Sequence, residues 1–324
     1  MSVERPIQYL SLKSVDDLMR CVNLASLFEL IGWPKPGNVH RRKDFENTKF
    51  EHFITGITAI QPNFRAFCER IFKFSFNNDK DYEELQLGYF FKKATEQMIK
   101  WQTGGNVILG HILILAPLVA AATICLKTGR FELKDFKSNI SKIIDHSTVD
   151  DTLNLYKAIR LCNPGGLGKV EKYDLTNKNS LREIREDNIN LQQIFELSKE
   201  RDLISSEYST GFHIILNEGL PFFVDIFNQD NNINISTVNT FLKMLSDHPD
   251  TLIIRKSGIK PALKISRAAL KIIKYGGISS KKGLKLTIKL DNELHKHKGN
   301  LNPGTTADLI TGVLFCALIL GLKV

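Results

Sequence analysis

The sequence predicts an all-α protein, and three observations carry that reading. Apolar residues recur at helical spacing through most of the chain. Stretches that alternate apolar and polar residues, as a half-buried strand does, are scarce. Glycine and proline clusters punctuate the periodic segments where helix-to-helix turns are needed. No low-complexity linker, heptad run or fixed-period repeat is present. Residues 1–324 therefore read as a single compact multi-helix domain, with a two-lobe division near residues 163–180 as the variant of that reading.

The elements follow in order. Residues 14–30 open with Ser14 as a helix cap and Asp16 and Asp17 in the first turn, where the helix dipole favours acids. Residues 50–74 and 82–103 are helical, the second running into Gly104-Gly105. Residues 107–126 are almost uninterrupted apolar sequence, about long enough to span a bilayer. His111, Pro117, the many alanines and the lack of a second such segment favour a buried core helix instead. Residues 131–145 are ambiguous, 148–161 are helical, and Asn163-Pro164-Gly165-Gly166-Leu167-Gly168 is a clear break. Further helices are expected over 181–198, 202–217, 236–246, 261–275, 281–297 and 305–321, with a break at Gly219-Leu220-Pro221.

Composition narrows the function classes. Apolar residues make up 43% and charged residues 24%, as in an ordinary globular protein. Five scattered cysteines (Cys21, Cys68, Cys125, Cys162, Cys316) form no metal-ligand pair and no disulfide framework, which suggests reduced thiols and a cytoplasmic location. Residues 1–6 carry no charged leader before an apolar block, so no signal peptide is expected. The net charge of +9 is uneven. Between Arg255 and Lys298 lie 13 of the 44 basic residues against only Asp291 and Glu293, leaving the rest close to neutral. That asymmetry asks for a polyanionic partner or substrate.

One stretch organises the candidate chemistry: Trp33-Pro34-Lys35-Pro36-Gly37-Asn38-Val39-His40-Arg41-Arg42-Lys43-Asp44. The two prolines stiffen it, and Gly37 lets the backbone approach another group closely. Flanked by Glu29 and Asp44, this cationic loop is either a connector or a seat for a phosphate-bearing substrate with a divalent metal. Thr103-Gly104-Gly105-Asn106 leads into the apolar helix, with Gly110 and His111 a turn later; free N–H groups there attract anions, or Asn106 simply caps the helix. His111, inside an apolar run, reads as a core histidine. Pro164-Gly165-Gly166-Leu167-Gly168 with Glu171 and Asp174 reads as a plain turn, since it lacks the lysine of a nucleotide loop. Asp247-His248-Pro249-Asp250-Thr251 with Arg255-Lys256 is a capping turn or a Mg²⁺ and phosphate site. Lys260, Lys264, Arg267, Lys271 and Lys274 form one cationic helix stripe, usually a solvated face, otherwise one for nucleic acid, anionic lipid or a long phosphate ligand. Leu301-Asn302-Pro303-Gly304-Thr305-Thr306-Ala307-Asp308 opens the last helix, with Asp308 in its first turn.

Taken together and in this order, these blocks resemble the triphosphoribosyl-dephospho-CoA synthase family. The residues that carry the likeness are Glu29, Pro34 to Val39 and Asp44; Thr103 to Asn106 with Gly110; Asp250-Thr251 with Arg255-Lys256; and Leu301 to Asp308. The family's usual threonine after the Asn of the second block is Val107 here, and the chain is similar to a divergent, archaeal-type branch.

The resemblance implies an all-helical pentosyltransferase that displaces adenine from ATP and attaches the 5-triphosphoribosyl group to 3′-dephospho-CoA or a related cofactor precursor. It implies Mg²⁺ as cofactor. Breaking an N-glycosidic bond builds positive charge at C1′, which carboxylates stabilise, and needs an acid for the base and a base for the hydroxyl. Glu29, Asp44, Asp250 and Asp308 are the candidates for these tasks, with Asp44, Asp250 and Asp308 also the candidate metal ligands. Lys35, Gly37, Asn38, Gly104, Gly105, Asn106, Thr251, Arg255, Lys256, Thr305 and Thr306 are the candidate substrate contacts. No membrane partner is expected, nucleic acid is disfavoured, and a homodimer is compatible. Hydrolysis of a nucleotide N-glycosidic bond, or non-catalytic binding of nucleotide or nucleic acid, are the readings from other classes.

Overall fold

The computed structural model describes residues 9–163 and 170–324. The leader-free start and the Pro164–Gly168 turn expected above lie outside the described residues. In chain order the helices are α1 (Val15–Ile31), α2 (Phe50–Ala59), α3 (Gln61–Ile71), α4 (Lys80–Glu83), α5 (Leu87–Trp101), α6 (Leu109–Thr128), α7 (Leu133–Asp145) and α8 (Val149–Cys162). They continue with α9 (Ser180–Glu186), α10 (Leu191–Ser198), α11 (Leu203–Thr210), a π-helical turn (Ile214–Gly219), α12 (Leu220–Asp230) and α13 (Ile233–Asp247). Next come α14 (Thr251–Ser257), α15 (Ile259–Lys274), a 3₁₀ turn (Gly277–Ser279), α16 (Lys281–His295) and α17 (Gly304–Ile319). Among the described residues there is no strand, only isolated bridges at Tyr9–Glu132 and His40–Lys43.

Local chemistry accounts for where the long expected helices divide. Residues 50–74 split at Ile60 because Pro62 enters the first turn of α3, where a missing N–H costs nothing. Residues 82–103 take in the end of α4 and all of α5, separated by Gln86 in the left-handed region at φ 51°. Asn188 (φ 54°) does the same between α9 and α10, and Gly211 (φ 67°) ends α11. The expected break at Gly219-Leu220-Pro221 is a helix start instead: Pro221 sits in the first turn of α12. Residues 131–145, ambiguous from their pattern, hold α7, whose Phe136, Ile140, Ile143 and Ile144 face the core.

The centre is built from two helices that are apolar on every side, α6 and α17. Helix α6 has a mean hydropathy of 2.2, and 89% of its apolar window is buried inside the protein, against α1, α3, α5, α7 and α17. It is a core helix, as the sequence suggested. Each fully buried Leu or Ile there is worth about 1.5–3 kcal/mol. Pro117 interrupts the hydrogen-bond ladder of α6 and frees the carbonyl of Leu113, four residues earlier. The hydroxyl of Tyr208 on α11 donates to that carbonyl at 2.7 Å. One contiguous apolar cluster runs from Leu10 to Leu320 and includes residues on both sides of the 164–169 segment.

Candidate active site

The end of α1, the start of α6 and the start of α17 meet in the core, and each brings a titratable side chain. Glu29 lies near the C-terminus of α1, followed by Gly32 and the Pro-Lys-Pro-Gly loop. That loop is pinned at its start, where Asn234 accepts from Trp33 N–H at 2.8 Å and donates to the Trp33 carbonyl at 2.7 Å. Lys35 does not point to solvent. Its side chain is 1% exposed, and its ammonium pairs with the Glu29 carboxylate and lies 2.7 Å from the Glu29 carbonyl. Enclosure lowers its pKa to about 7, an effect the Asp308 charge opposes.

His111 sits in the first turn of α6. Its Nε2 is 3.0 Å from the Thr311 hydroxyl, 3.5 Å from Glu29 Oε2 and 3.7 Å from Asp308 Oδ1, while its buried Nδ1 has no partner. Burial lowers its pKa to about 4, which keeps the ring neutral. Asp308 is the fifth residue of α17, just past the first turn where the sequence expected it, and packs against Gly110, where a β-carbon would overlap its carboxyl group. Burial raises its pKa to about 7; the neighbouring Asp250 and Asp202 carboxylates add to that, and His111 and Arg255 work against it. About a fifth of the Asp308 side chain (20%) still reaches solvent, against 4% for Glu29 and 3% for His111. Asp308 is therefore the open end of a buried Lys35–Glu29–His111–Asp308 cluster.

Asp250 fastens two helix starts together. Its Oδ1 accepts from Leu252 and Ile253 N–H at 2.9 and 3.1 Å, capping α14. Its Oδ2 accepts from the Thr306 N–H and hydroxyl at 2.7 and 2.8 Å, so it also holds the start of α17. Both oxygens are thus occupied, and burial raises this carboxyl despite those bonds. Thr251 and Thr305 touch through their hydroxyls at 3.2 Å. Arg255 bonds Asp202 at 3.0 Å and leaves its Nε buried without a partner. Lys256 reaches the Gly299 carbonyl at 3.2 Å; burial, then Arg255, lowers its pKa.

The remaining candidates frame this centre. Asn38 donates to Asn302 at 2.6 Å and to the Pro303 carbonyl, with its Oδ1 unpartnered. Gly37 (φ 77°) permits close packing on Leu294 and the Leu301 carbonyl, and its N–H donates to Asp291 at 3.0 Å. Asp44 is exposed and accepts from Phe50 N–H at 2.8 Å at the start of α2. The Thr103–Asn106 loop stands at the same helix start: Thr48 donates to the Gly104 carbonyl at 3.1 Å, and Gly104 packs where a β-carbon would strike His52. Gly105 and Asn106 are exposed, and Asn106 accepts from Leu109 N–H at 3.2 Å at the beginning of α6.

Asp291 on α16 is a clamp for the loop. Besides Gly37 N–H it receives His295 Nδ1 at 3.0 Å, Lys43 at 3.3 Å and His40 Nε2 at 3.4 Å. Burial would raise its pKa, but the bonds from His295, His40 and Gly37 outweigh that and hold it far below the usual range. Among the described residues, His40, Asp291 and His295 are the group of three whose ligand atoms lie within 4.8 Å of one another. Arg42 N–H donates to His40 Nδ1 at 3.2 Å, which places the ring hydrogen on Nε2, toward Asp291. With Lys43 at the same carboxylate, the group is a hydrogen-bonded clamp and not a cation centre.

Sequence reasoning missed three of these residues. His111 carries a core pattern, and only the fold sets it between two carboxylates. Asp202 begins α11 after a short break, a signal that fits a cap equally well. Asp291 enters a charge count but no motif.

A model of the family described as ATP:dephospho-CoA triphosphoribosyl transferase matches residues 15–323. The chain belongs to this family. Over 109 residues it is 28% identical to the 2-(5''-triphosphoribosyl)-3'-dephosphocoenzyme-A synthase of Escherichia fergusonii, covering 34% of this chain and 35% of that protein. Over 305 residues it is 27% identical to Protein CitXG of Leuconostoc mesenteroides subsp. cremoris, covering 91% of this chain and 57% of that protein. The chain thus spans about a third and somewhat over half of the length of these two relatives. A crystal structure from Archaeoglobus fulgidus, described as a triphosphoribosyl-dephospho-CoA synthase, superposes with a TM-score of 0.60. It is 24% identical and covers 83% of this chain and all (100%) of that one, which shows a shared fold.

Proposed function

We propose that this protein transfers the 5-triphosphoribosyl group of ATP to a ribose hydroxyl of 3′-dephospho-CoA, or of a related cofactor precursor, and releases adenine. The observation that carries the reading beyond family membership is Asp308. It is a carboxyl poised near neutrality, backed by a buried His111–Glu29–Lys35 cluster and open to solvent at one side.

Protonated Asp308 gives its proton to the departing adenine as the C1′–N9 bond breaks. The carboxylate left behind faces the positive charge developing at C1′. It then takes the hydroxyl proton of the acceptor as the C1′–O bond forms, so the cycle closes with no net proton gained or lost. Neutral His111, anchored through Nε2 on the Thr311 hydroxyl at 3.0 Å, packs beside Asp308, with the Glu29–Lys35 pair behind the imidazole. Arg255, whose Nε is unpaired, and Lys256 face the triphosphate, which stays intact.

The donor set does not fit a resident Mg²⁺ centre made from Asp44, Asp250 and Asp308. Asp250 has both oxygens filled by four donors, and Asp44 is exposed and bonded to the start of α2. A divalent cation enters instead with the nucleotide, as Mg–ATP, and so belongs to the substrate. Buried, unpaired cysteine thiols suit a reducing cytoplasm.

Mass spectrometry of the acceptor after incubation with Mg–ATP tests the reading. A product heavier by one ribose bearing three phosphates supports it. Transfer of a phosphoryl or adenylyl group instead would refute it.

A further inference from the structure

Helices α15 and α16 form a surface hairpin that the chemistry above does not use. Near their connecting turn, Lys282 lies 3.6 Å over the Tyr275 ring. Toward the other end, Lys264 and Glu293 approach to 3.9 Å. The two helices therefore run antiparallel, with their solvent faces in one surface. All ten lysines and arginines between residues 259 and 296 are exposed, and Glu293 is the one exposed carboxylate among them, because Asp291 is turned inward.

The face is not purely polar. Ile259, Leu263 and Leu270 on α15 are 49%, 38% and 40% exposed. At 3.6 residues per turn they fall within about 40° of one another, between the buried arc of the helix and its cationic stripe. We propose that this hairpin face is a peripheral docking surface for an anionic lipid bilayer. The aliphatic row enters the headgroup boundary while the lysines meet the lipid phosphates, the arrangement of an interfacial amphipathic helix.

The residue types select lipid over nucleic acid. Nine of the ten basic residues are lysine, and Arg267 is the single arginine. The exposed aromatic on this face, Tyr275, has its ring covered by Lys282, so no free ring offers itself to stack on a base. Exposed aliphatics cost free energy in water and gain nothing from a phosphate backbone. The contact is peripheral, since the apolar helix α6 is enclosed by its neighbours.

The test is co-sedimentation of the full-length protein with vesicles of phosphatidylcholine, with and without phosphatidylglycerol. Binding is expected only with the anionic lipid and should weaken at high salt. The combined variant Lys264→Glu, Lys271→Glu and Lys274→Glu should lower partitioning by on the order of 10²-fold or more. Leu263→Ser with Leu270→Ser should lower it about tenfold at unchanged charge. Both variants should keep the wild-type circular dichroism and adenine release, which separates surface loss from misfolding. Absence of vesicle binding overturns the proposal. So does indifference to the leucine changes combined with equally tight binding of a single-stranded DNA oligonucleotide, which would mark a nucleic-acid face.

Discussion

The carboxyl group of Asp308, on α17, fills the space that a β-carbon would occupy at Gly110, on α6. A glycine at this position is therefore a requirement of the site and not of the helix, since glycine weakens a helix interior. Gly110→Ala should displace the carboxyl by about an ångström and cut turnover on the order of 10²-fold. The KM for ATP should change less, because the triphosphate is held elsewhere. Steady-state kinetics of the variant check this, and wild-type turnover would show that the close approach is incidental.

Asp308 should also leave a signature in stability against pH. Its pKa rises from 3.8 to about 7 on folding, so the folded state binds this proton more tightly than the unfolded chain. Its contribution is full below pH 3.8 and is lost as pH rises through about 7. Asp308→Asn removes that penalty and should stabilise the protein above neutrality, by up to about 4 kcal/mol from the size of the shift. Thermal melts of both proteins across pH should diverge on the alkaline side.

The Lys35–Glu29 pair predicts strong non-additivity. Lys35→Met strands a buried carboxylate and Glu29→Gln strands a buried ammonium, each costing roughly 3–5 kcal/mol. The double variant should cost clearly less than the two changes together. Denaturant unfolding of the four proteins measures the coupling, and simple additivity would contradict the pairing.

Asp291 ties the Pro-Lys-Pro-Gly loop to α16 through Gly37, His40 and Lys43, with His295 of α16 itself as a fourth donor. Asp291→Ala should destabilise by about 2–4 kcal/mol, since buried donors are left unpaired. The sign of its pH effect is opposite to that of Asp308. With the folded pKa depressed, its contribution is present above the unfolded value of 3.8 and fades as acid protonates the folded form. The variant should therefore lose part of the acid sensitivity of the wild type, read from unfolding below pH 4.

Tyr208→Phe isolates one consequence of Pro117. Without the hydroxyl, the freed Leu113 carbonyl is buried unsatisfied, at a cost of about 1–3 kcal/mol. Equilibrium unfolding measures it.

Much of the fold was legible because helical periodicity and Gly/Pro punctuation are local. Where that reading failed, the deciding chemistry was also local but ambiguous. Pro221 starts a helix where a break was expected, Pro62 starts a new helix inside a stretch read as continuous, and Gln86 and Asn188 take left-handed turns that their residue types do not demand. The site was legible as motifs but not as geometry. Asp250 and Asp308 share one motif logic, yet one is locked by four hydrogen bonds and the other is open. His111 looks like core, and Lys35 like a surface cation. Their roles come from α1, α6 and α17 meeting, which no single stretch of sequence records.

The most direct test is free adenine, measured by chromatography, from wild type and Asp308→Asn with Mg–ATP, each with and without 3′-dephospho-CoA. Wild type should release adenine only when the acceptor is present, and Asp308→Asn should fall by about 10²–10⁴-fold, the usual worth of a positioned acid–base group. Adenine released equally without acceptor, or unchanged turnover in the variant, would contradict ribosyl transfer driven by Asp308.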